Sequence, residues 1–141
     1  MPHAASDADL TKLLAIAHEF TEAFKHADVD RVMQFYGDTY VDVNLRNPLQ
    51  SHAERRQYYA QLMKRGLRVA VQTDEVMVEG NVAFIRGRIE VRDPQAANEN
   101  SGVRELRYVE VARKAANGSW QVIWGMDGPV QEWSPEQAWI P

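Results

Sequence analysis

The sequence predicts one α+β domain, on three observations. Apolar residues recur at helical spacing over most of the first half, period-two alternation dominates from Leu67 to about Met126, and no repeating strand-helix-strand unit links the halves. A chain of 141 residues with 45% hydrophobic residues is the size of one domain around one core. Four Trp, five Tyr and four Phe can fill that core without disulfides or a structural metal. Residues 1–141 therefore read as a single domain, with its core from about 7 to 127 and a tail from 128 to 141.

From Asp7 to about His26, Leu10, Leu13, Leu14, Ala17, Phe20, Thr21 and Phe24 form one helical stripe, with Ser6 or Asp7 as the cap. A short second helix begins at Asp28, carries Val29, Val32, Met33 and Phe35 inward, and ends at Gly37. Tyr40 to Leu45 alternates and reads as a strand. After the turn residues Asn47 and Pro48, a third helix runs from Ser51 to Arg65 with Tyr58, Tyr59, Leu62 and Met63 as its apolar side, and Gly66 closes it. Strands follow over Leu67–Val78, Val82–Arg92, Arg104–Arg113 and Trp120 to about Met126, with hairpin turns at Glu79-Gly80-Asn81 and Asn117-Gly118. The connection from Asp93 to Gly102 reads as a surface loop. Three prolines keep the tail from continuing the sheet, while Trp133 and Trp139 suggest that it docks on its own domain or on a partner.

Composition excludes several function classes. A formal charge of -4 lacks the basic footprint that phosphate neutralisation needs, so no nucleic-acid partner is expected. Arg55, Arg56, Lys64, Arg65 and Arg68 read as helix-end charge and solvated surface. No apolar run approaches a membrane span, so no membrane partner is expected either. The lack of Cys and of a leader-like start at Met1 to Asp9 points to the cytoplasm. His18, Glu22 and His26 share a helix face turned away from the apolar stripe and read as solvated, so no metal site is expected. No phosphate loop, His-Glu-x-x-His segment or nucleophile elbow occurs, and no cofactor is implied.

Two strands have one plain apolar face and one mixed face. In the first, Ala83, Ile85, Gly87, Ile89 and Val91 alternate with Phe84, Arg86, Arg88 and Glu90; in the second, Val109 and Val111 alternate with Leu106, Tyr108 and Glu110. Such a mixed face either looks at water, with Arg86, Arg88 and Glu90 in ion pairs to neighbours such as Glu110, or lines a partly polar cavity.

Asp28 to Tyr36, Asn81 to Arg88 and Arg107 to Trp120, in that order and spacing, resemble the nuclear transport factor 2-like superfamily, and most closely its SnoaL-like and ketosteroid-isomerase-like branches. The resemblance runs from about Leu10 to Met126. It implies a cone-shaped, strongly curved and mostly antiparallel sheet wrapped around three N-terminal helices, a cystatin-like α+β barrel with a pocket at its open end. It also implies a homodimer packed sheet to sheet, and the apolar outer row Val109, Val111, Trp120, Val122 and Trp124 fits that expectation.

Beside ketosteroid isomerase, the resemblance turns Asp42, Asn44, Phe84, Arg86, Arg88, Leu106, Tyr108 and Glu110 inward, with Phe20, Tyr40, Tyr59 and Met63 on the pocket wall. Asn44 stands where the base Asp would be and Phe20 near the place of the oxyanion Tyr; Glu110 alone matches an acidic partner. An amide accepts no proton usefully near pH 7, which disfavours ordinary ketosteroid isomerisation. Limonene-epoxide hydrolase is similar in a different subset, placing Asn44, Arg88, Glu90 and Asp127 where that enzyme holds water, bridges two acids and protonates the opening oxygen. Here Glu90 is longer than the matching Asp, and Asp42 replaces a Tyr.

Two function classes follow. One is a cofactor-independent acid/base enzyme (isomerase, cyclase, lyase or epoxide-hydrolase-like) acting on a small, mostly apolar ligand, with Asp42, Glu90, Glu110 and Asp127 as carboxylates and Arg86 or Arg88 stabilising negative charge. The other is a non-catalytic ligand-binding or dimerisation module. Glu110 is expected inside the cone, beside an Arg of the neighbouring strand.

Overall fold

The computed structural model describes residues 6–43, 52–95 and 102–130. Asn44, the turn at Asn47 and Pro48, most of the Asp93–Gly102 loop and the tail tryptophans lie outside them. Three helices, α1 (Asp7–His26), α2 (Val29–Met33) and α3 (His52–Lys64), pack with five strands: β1 (Tyr36–Asp42), β2 (Arg68–Glu79), β3 (Val82–Arg92), β4 (Val103–Lys114) and β5 (Trp120–Pro129). The sheet order is β1-β5-β4-β3-β2, antiparallel except that β1 runs parallel to β5. This is the expected α+β architecture, with β1 and β2 as separate edges of an open sheet.

Local chemistry sets the helix ends. The Ser6 side chain accepts from Asp9 N at 3.1 Å, and the Asp28 side chain accepts from Arg31 N at 3.3 Å, so each satisfies an otherwise unpaired amide of the first turn. Gly66, at φ 85°, closes α3 with its N–H on the Met63 carbonyl. Gly37 does not end α2: Gln34 caps that helix and Gly37 lies within β1. The apolar stripe of α1 is also rotated from the expected one, since Leu14 is 50% exposed while Ile16 is buried.

The core joins Leu13, Ile16, Phe24, Val32, Met33, Tyr36, Tyr59, Met63, Ile85, Tyr108, Trp120 and Val122. Helix α1 lies against β2 and ties to it through Thr21, whose Oγ1 accepts from Val71 N at 2.9 Å. At the far end of α1, Asp9 accepts from Trp120 Nε1 at 3.0 Å and pairs with Lys114 at 3.1 Å.

Register decides which residues face the helices. The pairs Ile85↔Glu110, Gly87↔Tyr108 and Ile89↔Leu106 share the helix-facing side, whereas Phe84↔Val111, Arg86↔Val109 and Arg88↔Arg107 share the outer side. Phe84, Arg86, Arg88 and Glu90 therefore point away from the helices, opposite to the expectation. The plain apolar face of β3 is the one that meets the core, because burying it removes Ala83 and Ile85 from water at no desolvation cost. A register shift between Val111 and Ala112 adds one residue to β5, so that Trp124 faces outward while Trp120 and Val122 are buried. The expected outer row thus loses Trp120 and Val122 and gains Met77, Phe84 and Met126, all exposed.

Candidate functional site

A small cavity of about 70 Å³ lies between α1, α3 and the helix-facing side of the sheet, and its wall includes Phe20, Tyr36, Tyr40, Asp42, Tyr59, Tyr108, Glu110 and Asp127. Each strand delivers its side chain by parity. Tyr108 and Glu110 are two apart on β4, and Asp127 pairs with Tyr108 from β5. Tyr36, Tyr40 and Asp42 come from β1, next to β5.

Two glycines make room for the tyrosines. A Cβ at Gly87 would lie 2.8 Å from the Tyr108 ring edge and would also strike the Gln72 carbonyl, so β3 is bare where that ring crosses it. A Cβ at Gly125 would collide with the Tyr40 hydroxyl, and Gly125 pairs with Glu110 in register, which brings the Tyr40 hydroxyl end to the part of the wall that carries Glu110. Tyr108 is held further by its hydroxyl, 3.3 Å from Thr73 Oγ1.

Aromatic packing fixes the rest of the wall. Tyr36 and Tyr40 meet edge to face at 4.7 Å, and Phe20 and Tyr59 do so at 5.6 Å. Burial pushes the Tyr59 and Tyr108 hydroxyls up to about 12 and raises those of Tyr36 and Tyr40 well above their ordinary value, so all four stay protonated donors at neutral pH.

Glu110 is the group out of ordinary balance. Its Oε2 is buried with no hydrogen-bond partner, and burial first, then the Asp127 charge, push the carboxyl up to about 7. The Asp127 carboxyl is itself raised, by burial and then by the Asp42 charge. A carboxyl poised near neutrality among hydroxyl donors can accept or deliver a proton at physiological pH.

Of the residues singled out in the sequence, the structure brings Asp42, Glu110 and Asp127 together with Phe20, Tyr40, Tyr59 and Tyr108. Met63 belongs to the core and Leu106 is half-buried on the same sheet side; neither borders the cavity. Asn44 lies outside the described residues. Phe84, Arg86, Arg88 and Glu90 are on the opposite sheet face. There Arg86 pairs with Glu75 at 2.9 Å, Arg88 with Asp74 at 2.9 Å and Glu90 with Arg92 at 3.0 Å, while Arg107 shares Asp74 at 3.5 Å. Among the described residues no Arg of the neighbouring strand stands across from Glu110: its neighbour on β3 is Ile85. The Arg-and-acid constellation read as similar to limonene-epoxide hydrolase is therefore not assembled, because Arg88 and Glu90 belong to this outer network.

Sequence reasoning missed Tyr36 and Arg55. Arg55, read as solvated, is 3% exposed. Its signal was the spacing of Arg55, Tyr59 and Met63, four apart on one helix face, which is the buried face of α3. Among the described residues, no group of three His, Cys, Asp or Glu side chains is placed to hold a metal ion, and no helix is long and apolar enough to cross a membrane.

Residues 17–123 match the SnoaL-like domain. The chain belongs to the SnoaL-like family. Solved structures similar to this SnoaL-like domain share its fold, described for one of them as cystatin-like. It is similar to a Nostoc punctiforme domain of unknown function with a cystatin-like fold, at TM-score 0.76 and 17% identity over 94% of this chain and 83% of that one. It is also similar to a Streptomyces avermitilis protein of the NTF2-like family, provisionally called a dehydratase, at TM-score 0.69 and 16% identity over 91% of this chain and 100% of that one. A ketosteroid isomerase-like protein from Erwinia carotovora atroseptica superposes at TM-score 0.64 with 24% identity, over 90% of this chain and 100% of that one. At these identities the likeness is one of fold. No curated protein matches this chain in sequence.

Proposed function

We propose that this SnoaL-like domain binds a small, mostly apolar molecule in the tyrosine-walled cavity and moves a proton on it with Glu110, as an isomerase or lyase of the cofactor-independent kind. The observation that carries this reading is the Glu110 carboxyl, buried in the wall with an unpartnered oxygen and pushed up to about 7. As a base it would take a proton from a carbon next to a carbonyl; as the acid so formed it would return that proton elsewhere on the molecule or to a leaving hydroxyl. The Tyr40 and Tyr108 hydroxyls, protonated at neutral pH, would donate hydrogen bonds to oxygen where negative charge develops. Isomerase-like and dehydratase-like descriptions among the structural neighbours are compatible with such proton transfer. A cavity of about 70 Å³ fits a few heavy atoms rather than a steroid.

The test is hydrogen exchange. Small ketones and β-hydroxy carbonyl compounds incubated with the protein in D2O should lose α-protons by NMR, and Glu110→Gln should slow that exchange by about 100-fold or more. Compounds that bind yet exchange equally fast with both proteins would overturn the catalytic reading.

A second reading, assembly, is favoured by one observation. Phe84, Val109, Trp124 and Met126 lie exposed together on the outer sheet face, with Trp124 53% accessible. We propose that this face packs against its copy in a homodimer, which leaves the cavity on the helix side free. The two readings are compatible.

A further inference from the structure

The cavity wall carries three carboxyls, and strand register sets where they stand. Asp42 on β1 pairs with Gly125 on β5, and Gly125 pairs with Glu110 on β4, so Asp42 and Glu110 flank one bare position in a single row across three strands. Asp127 lies two residues beyond Gly125 on β5 and returns to the same sheet face. With strands roughly 5 Å apart and same-face residues roughly 6.6 Å apart along a strand, all three acids neighbour Gly125. The Tyr40 hydroxyl crosses that position, since a Cβ there would collide with it, and forms the floor between the acids. All five residues border the cavity.

The three acids differ in exposure. Asp127 is exposed, Asp42 is half-buried, and Glu110 Oε2 is buried without a hydrogen-bond partner. Neither Asp42 nor Asp127 lacks a partner, so the unmet group is Glu110. An ionised carboxyl only accepts, so its missing partner is a donor, and two further acids nearby favour a positively charged one. The neutral acid would lack an acceptor instead, but a cation set among three carboxyls removes the repulsion that helps to keep Glu110 neutral. Among the described residues no such group is placed to hold a metal ion. The rest of the wall is aromatic, with the rings of Phe20, Tyr36, Tyr59 and Tyr108, and such rings suit hydrocarbon next to positive charge. We infer that the ligand of this cavity is a small primary amine, bound as its ammonium with an N–H on Glu110 Oε2 and its hydrocarbon against the aromatic wall. Asp42 and Asp127 attract it from the exposed side.

Arg55 acts in the opposite sense, with its Cζ 4.0 Å from the centre of the Tyr40 ring. It does not border the cavity, however. At the Tyr40 hydroxyl the Glu110 charge acts more strongly than that of Arg55, and at the Tyr58 hydroxyl Asp127 and Asp42 each outweigh it. At Tyr59, to whose hydroxyl Arg55 Nη1 donates at 3.4 Å, the order reverses. The Arg55 charge is thus directed to the rear of the tyrosine wall, and the row around Gly125 stays negative.

The inference deepens the reading of the cavity as a small-molecule site and rests on it: an ammonium beside Glu110 would hold that carboxyl ionised, the form that accepts a proton from carbon. The experiment separates the two. Isobutylamine, isobutanol and isobutyrate, alike in shape and different in charge, are titrated into the full chain at pH 6 by NMR, with the Glu110 side-chain carboxyl carbon observed directly. The amine should bind about tenfold or more tighter than the alcohol, and the acid weakest. Saturating amine should move the Glu110 carboxyl carbon to its ionised position, which the alcohol should not do. Glu110→Gln should weaken the amine by about tenfold and the alcohol by less than about threefold. Asp127→Asn, at an exposed position, should weaken the amine by about threefold. The alcohol or the acid binding as tightly as the amine, or amine affinity unchanged in both variants, would overturn the amine inference and leave the cavity reading standing. If none of the three compounds binds, the cavity reading fails as well.

Discussion

Glu110→Gln isolates the buried carboxyl of the cavity from every other acid in the chain. On folding, its pKa rises from 4.5 to about 7. Between those limits the folded state binds more protons than the unfolded state, so stability falls as pH rises through that window. The loss is absent below 4.5, where both states are protonated, and complete above 7, where both are ionised. At 1.36 kcal/mol per tenfold change in proton affinity, the full effect is roughly 3 kcal/mol. Gln has nearly the shape of the neutral acid and cannot ionise. Wild type and variant should therefore have similar stability at pH 4.5, and the variant should be the more stable by roughly 2 to 3 kcal/mol at pH 8. Urea unfolding of both proteins at half-unit steps from pH 4.5 to 8 measures this, and the remaining carboxyls largely cancel in the difference. A difference constant within about 0.5 kcal/mol over that range would show that folding does not perturb this proton, and the acid/base role would lose its basis.

Gly87→Ala should destabilise by roughly 2 to 4 kcal/mol in urea, because its Cβ meets the Gln72 backbone as well as the Tyr108 ring; a loss under about 0.5 kcal/mol would contradict the close strand approach. Gly125→Ala meets only the end of a side chain, so its stability cost should be about 1 kcal/mol, but it should swing Tyr40 off Arg55. Unchanged Tyr40 ring resonances in the variant would refute that contact. Phe84→Arg with Trp124→Arg should turn a sedimenting dimer into a monomer at about 10 µM, and a wild-type monomer at that concentration would exclude the outer-face assembly.

Most of the fold was legible because its signals are local. Strand β3 lies over Val82–Arg92 as its alternation predicts, and Ser6, Asp28 and Gly66 perform the capping their chemistry suits. Strand β1 was read four residues late because its edge position and parallel pairing with β5 leave Tyr36 to Asp42 without a clean period of two. The inward side of β3 was misread by giving weight to a resemblance over desolvation: Arg86 and Arg88 facing the core would have needed buried partners, while on the outer face they pair with Glu75 and Asp74 and keep contact with solvent. Trp120 and Val122 were misplaced because a register shift is set by packing between strands and has no signature in one strand's sequence. Glu110 was placed inward by parity, but its Arg neighbour was not there. Arg55 was missed because its charge was counted and its four-residue spacing to Tyr59 was not.

The distribution of polar groups over the sheet explains why the cavity lies where it does. Strand β3 sends only Ala83, Ile85, Gly87, Ile89 and Val91 toward the helices, so the middle of the sheet packs as core. Inward polar atoms are carried by Tyr108 and Glu110 on β4, Asp127 on β5, and Tyr36, Tyr40 and Asp42 on β1. These strands are consecutive at one end of the sheet. Bulky tyrosines at that end lie across a neighbouring strand where it omits its side chain, as Gly87 does for Tyr108 and Gly125 for Tyr40. With Glu110 opposite Gly125, the bare position that admits Tyr40 also leaves the carboxyl without a side-chain neighbour across the strand pair. Filling Gly125 would thus restrict Tyr40 and crowd Glu110 together, so loss of ligand binding in Gly125→Ala without loss of fold would mark this strand pair as the working end of the sheet.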